Sequence, residues 1–224
     1  MKKICLASLA MAAMLGTGCN RDNAAKNDTA GTSGRVEDKV SHGDKDFVQD
    51  VSKMNAAEID LSRLAVDKSS SADVKKFAQM MVDDHTAAGA QLSGVATQNA
   101  IQAPAEPDDS HRSLHEKLAG KQGLDFDKDY MDAMVDDHEK AVDKLESRID
   151  KTDLARWKGA VAVNPATGET AKVDVKTQTV IPEKSDDPVT QRINAWAADT
   201  YPTVWAHLQA AKALRDNVKK RSTD

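Results

Sequence analysis

The 224-residue chain is poor in cysteine, proline, glycine and aromatic residues, and each scarcity closes off a class of structure. Its two cysteines, Cys5 and Cys19, both lie in the first nineteen residues. From residue 20 onward the sequence offers no thiol nucleophile, no thiolate metal site and no disulfide. Aromatics at 4%, with 11 Gly and 6 Pro, argue against a β-sandwich, and abundant Ala, Val, Leu and Met favour helices. The formal net charge is −5, and Lys and Arg alternate with Asp and Glu almost everywhere. No basic stripe exists to follow a phosphate backbone, so nucleic acid is not an expected partner.

Long apolar runs are missing too. The uncharged stretch Ile4 to Leu15 is too short to span a bilayer as a permanent anchor. With Lys2-Lys3 before it and Gly16-Thr17-Gly18-Cys19 after it, it has the parts of a secretory signal. The small residues before Cys19 resemble the lipobox of bacterial lipoproteins, whose thiol is acylated; Leu15 stands four places before the Cys, where three is usual. Residues 1–19 are therefore read as a signal peptide ending at the lipid-attachment residue Cys19. The expected location is the cell envelope, anchored through the lipid and facing the periplasm, with the outer membrane as the favoured leaflet. Residues 20–43, rich in Asn, Asp, Ala, Thr, Gly, Ser and Lys, bury too little to order themselves and read as a tether.

What is present from Asp44 onward is helical period. Phe47, Val51, Met54, Leu61 and Ala65 recur at steps of three and four, with Glu58 in the missing slot. After the serine run 69–71, a second stripe carries Val74, Ala78, Met81, Ala88, Leu92 and Val95, with His85 in its gap. Ala103 to Pro107 breaks the pattern, and Asp108-Asp109-Ser110 caps a short helix ending near Gly120 and Gly123. A third long helix is expected from about Asp127 to Trp157, with Met131, Val135, Val142, Leu145 and Ile149 on its stripe and His138 in the gap. Val161/Val163 and Val173/Val175, around Asn164-Pro165-Ala166-Thr167-Gly168, predict a small β-hairpin within an insertion at 159–185. Asp187-Pro188 opens a fourth long helix bearing Val189, Ile193, Trp196, Val204, Ala211, Leu214 and Val218, with His207 on the same face and Pro202 inside.

Four amphipathic helices with one stripe each predict an all-α antiparallel four-helix bundle over 44–224. Counting from the turns places Glu58, His85, His138 and His207 in roughly one inward-facing layer. Buried polar groups without partners are costly, so such a layer requires compensation. One compensation is a single transition-metal ion, Zn, Fe, Cu or Mn, on these four ligands. The other is mutual hydrogen bonding that fixes the register of the helices. Asp84 and Asp137, in the repeated segment Met-Val-Asp-Asp-His at 81–85 and 134–138, read first as solvated charge and second as acceptors orienting an imidazole of a neighbouring helix. Met54, Met81 and Met134 read as core filling, and His42, His111 and His115 as exposed.

The segments Phe47-Val48, Glu58 to Ala65, Val74 to His85, Asp125-Phe126-Asp127 with Met134 to His138, and Tyr201-Pro202 with His207-Leu208 resemble the bacterial envelope proteins grouped as domain of unknown function 4142. That resemblance covers about residues 44–157 and 186–215. It implies a ferritin-like four-helix bundle, exported, with no established activity. Tyr201, where Leu is usual, and the long 159–185 insertion depart from the pattern. Val82, Val135 and Val204 stand three places before the histidines, where Glu-x-x-His di-iron proteins carry Glu, so at most one metal fits. Function then divides between a metal-binding envelope lipoprotein, for storage, buffering or stress defence, and a non-catalytic module docking another envelope protein. Catalysis is the weaker expectation, since no Ser or Cys nucleophile has a recognisable setting.

Overall fold

Sequence period and capping residues reappear as six helices in the computed structural model, which describes residues 40–161 and 178–221. They are α1 His42–Lys68, α2 Ala72–Gln98, α3 Asp109–Ala119, α4 Gly123–Glu146, α5 Lys151–Ala160 and α6 Pro188–Arg221. The described residues are all-helical apart from turns and one isolated antiparallel bridge, Ile149 to Pro182. Val161, expected in the first hairpin strand, instead closes α5, which takes in Gly159 and Ala160, and its N–H donates to the Trp157 carbonyl; Val163, Val173 and Val175 lie outside the described residues.

Most helix starts follow from side-chain caps. Ser41, Ser71 and Asp108 each accept a hydrogen bond from the backbone N–H three residues on, and Asp187 accepts from those of Val189 and Thr190. Pro188 fills the first helical position, where no N–H is needed.

Three boundaries differ from expectation. Helix α1 begins at His42 because Ser41 caps it, so the last residues assigned to the tether are structured. Helix α4 begins a turn before Asp127, at Gly123, whose φ of 57° needs glycine at the bend from α3. The third long helix does not run to Trp157. It stops at Glu146, and Asp150 caps the separate α5. The break is held from outside: the Asp150 N–H donates to the Ile181 carbonyl and the Glu183 N–H to the Arg148 carbonyl. Periodicity missed it because Ile149, Leu154 and Trp157 are buried on both sides of the break.

The long helices form a helical bundle in which α1 packs on α2 and α4, and α6 packs on α4 and α2. Their directions follow from the pairs that meet. Asp44, near the start of α1, binds Arg148 beyond the end of α4, while Ser69 beyond α1 donates to Asp127 near the start of α4. Tyr201 of α6 donates to Glu146 of α4, and Lys212 pairs with Glu139 farther back. The core holds Leu61, Met81, Leu92, Met131, Met134, Leu145 and Ile193, all essentially inaccessible. Burying such side chains contributes about 1.5–3 kcal/mol each. Helix α3 crosses α1 and α4, its Leu118 buried among them.

Candidate metal centre

Each long helix delivers one polar side chain to the interior at the same height. Glu58 is 1% exposed, His85 5%, His138 0% and His207 1%. The ring centroids of the three imidazoles stand 5.4–5.6 Å apart. One nitrogen from each ring lies within 4.8 Å of the other two, close enough for the three to hold a metal ion. Ligand atoms around a tetrahedral ion at 2.0–2.1 Å stand about 3.3 Å apart, so a closure of about 1.5 Å at most completes the shell. Glu58 adjoins two of the rings, with Oε2 2.8 Å from His85 Nε2 and Oε1 3.4 Å from His138 Nδ1.

The outer nitrogen of every ring is occupied. His85 Nδ1 donates to Asn55 Oδ1 at 3.1 Å, His138 Nδ1 to the Met134 carbonyl at 2.9 Å, and His207 Nε2 to Asp84 Oδ2 at 2.9 Å. These bonds set the tautomers and direct His85 Nε2, His138 Nε2 and His207 Nδ1 inward. All three inner nitrogens and both Glu58 oxygens are buried; His138 Nε2 and His207 Nδ1 have no hydrogen-bond partner among the described residues, and His85 Nε2 faces the Glu58 carboxylate. A protein acceptor fixing one imidazole nitrogen while the other is left for an ion is the usual arrangement of ligating histidines.

Electrostatics agree with that geometry. Burial pushes the Glu58 carboxyl up, but the neighbouring charges of His138, His85 and His207 outweigh it and hold the group at about 2. Burial pushes His85 down, yet the Glu58 carboxylate more than offsets it, so this ring is raised. His138 is lowered by burial, and burial takes His207 down to about 4. The layer thus combines one carboxylate held low, one ring that is raised and two that are lowered. The 2.8 Å approach of Nε2 to Oε2 is met either by a proton on Nε2 or by a cation between the two.

Of the carboxylates in the repeated segment, Asp84 reaches across from α2 to α6 and orients His207, the lesser of the two roles expected. Asp137 is not solvated: it is 4% exposed, with Lys140 Nζ at 3.0 Å and His111 Nε2 at 3.4 Å. His111 is correspondingly not an exposed residue. Its ring lies between Asp108 and Asp137 and is raised, chiefly by Asp137. His115 pairs with Asp60 of α1 at 2.9 Å. The paired histidines of α3 therefore fasten that helix to α1 and α4.

Sequence reading missed two contributors. Asn55 lies three residues before Glu58 on α1, and its amide is close to Gly89 of α2, which leaves room for it. A glycine four residues after His85, in mid-helix, was the available signal. The Met134 carbonyl, a backbone group, left none.

Residues 30–167 match the model of the family described as Domain of unknown function (DUF4142), a span that carries Glu58, His85 and His138 but ends before His207. Neither the curated proteins nor the solved structures hold a match to this chain. The matched span covers more than half of the sequence, and the chain belongs to the DUF4142 family.

Proposed function

We propose that this chain is an exported lipoprotein whose long helices form an antiparallel, ferritin-like four-helix bundle around a single divalent transition-metal ion. His85, His138 and His207 are the nitrogen ligands and Glu58 the carboxylate. One observation carries the reading: three imidazoles converge in the core with one nitrogen of each within 4.8 Å of the others, beside the buried Glu58 carboxylate, while the remaining nitrogen of every ring has a protein partner. An N₃O donor set suits Zn, Fe, Cu or Mn. Storage, buffering or stress defence at the envelope is the corresponding role. Export rests on the signal-like residues 1–19, and anchoring on Cys19. No helix among the described residues is long and apolar enough to cross a membrane.

The test is metal-dependent stabilisation. Adding metal at 100 times Kd raises folding stability by about 2.7 kcal/mol, read as a higher Tm. His85→Ala and His138→Ala remove that rise; variants that keep it contradict the assignment.

A second reading is favoured by the 2.8 Å approach of His85 to Glu58, which an imidazolium–carboxylate pair also explains. The layer would then be a polar lock that sets helix register, in a chain that docks another envelope component. On that reading Tm is unchanged by metal, and Glu58→Gln destabilises the metal-free chain.

A further inference from the structure

On the side of the imidazole layer toward the start of α1 lies a cavity of about 30 Å³, bordered by all four long helices. Met54, Ala88, Ala141 and Trp196 contribute apolar wall, and Glu58, His85, Asn55 and Thr200 the polar part of the lining. Its volume exceeds the ~10–15 Å³ that one water needs and suits a molecule of two heavy atoms. Well-packed cores do not keep such spaces without a loss of stability, and small residues at 88 and 141 maintain this one.

Charge and polarity restrict what fits. The Glu58 carboxyl borders the cavity and offers oxygens, not donors, to an occupant, which disfavours anions. A strongly hydrated solute would lose its water against mostly apolar walls, whereas a weakly hydrated one loses little. Glu58, 1% exposed, and His85 border this region, so an occupant would sit against the carboxylate and one imidazole of the layer.

We propose that this cavity is the seat of a small uncharged diatomic molecule, of the dioxygen or nitric oxide class, beside the ion on His85, His138 and His207. The inference rests on the metal reading above, and two probes keep the two distinguishable. Xenon, which enters dry apolar cavities, is applied to the metal-free full chain and followed by methyl NMR. Shifts confined to Met54, Ala88 and Ala141, abolished in Ala88→Leu, are expected. Ordered water in the cavity with no xenon response overturns the proposal.

Nitric oxide is then titrated anaerobically into the ferrous-loaded chain and followed by electron paramagnetic resonance. Ala88→Leu, and independently Ala141→Leu, should bind nitric oxide at least tenfold more weakly while retaining the same iron content. Equal binding by parent and both filled variants overturns the proposal and leaves the metal site standing. A chain that takes up no ion overturns the metal reading, and this proposal with it.

Discussion

Gly89→Ala separates the second layer of the centre from the fold, because it acts on the ligand His85 only through Asn55. A methyl group at residue 89 would lie 2.6 Å from Asn55 Nδ2 and 3.5 Å from its Cγ, so the amide has to move by about an ångström. That group is the end of a flexible side chain, and the backbone of α1 and α2 need not shift. Moving it breaks the 3.1 Å bond that holds His85 Nδ1. In the metal-free chain the loss of that bond, about 0.5–1.5 kcal/mol, is nearly balanced by the gain of about 1 kcal/mol for Ala over Gly inside a helix. Tm therefore changes little. Metal affinity should fall by about 10–100-fold, or about 1.4–2.7 kcal/mol, since the outer partner no longer fixes the imidazole. Competition against a chromogenic chelator measures the affinity and thermal melting of the metal-free form the stability; Asn55→Ala should reproduce the affinity loss. Parent-like affinity in both variants would refute the role given to Asn55.

Asp84→Ala removes the acceptor for His207 Nε2 and should likewise weaken metal binding by about 10–100-fold, checked by the same competition. Arg148→Ala leaves Asp44 buried with only Ser41 and Thr190 and should cost about 3 kcal/mol in chemical denaturation; a loss below about 1 kcal/mol contradicts the importance of that contact. For the metal-free chain, stability should fall as pH drops from about 6.5 toward 4, because unfolded His207 takes up a proton that the folded ring, at about 4, resists. Glu58 extends the fall from about 4.5 toward 2, and raised His85 acts oppositely, its contribution being lost as pH rises above 6.5. Melts from pH 8 to 4 test these signs, and a flat profile contradicts them.

Much of this architecture was legible because burial and period coincide. Glu58, His85, His138 and His207 each interrupt an apolar series at helical spacing, and a side chain at such a slot points where its neighbours point. Ser71, Asp108 and Asp187 announced their helix starts by residue type. The break at 147–150 was not legible, since what stops α4 is a distant segment, 181–183, bonding to its backbone. Asp137 and His111 looked solvated because charge is usually outside; Asp137 is buried and His111 half-buried because α3 packs on α4 and lets the two compensate each other. Asn55 was hidden for a related reason, its role depending on a bond to α2 that no period within α1 records.

Metal stoichiometry of the purified chain tests the central claim most directly. Elemental analysis after equilibration with zinc, and calorimetric titration of the metal-free form, should give one ion per chain for the parent and none for the His85→Ala/His138→Ala double variant. A parent chain that binds no ion, or a double variant that binds as tightly as the parent, would contradict the assignment of His85, His138, His207 and Glu58 as a metal centre.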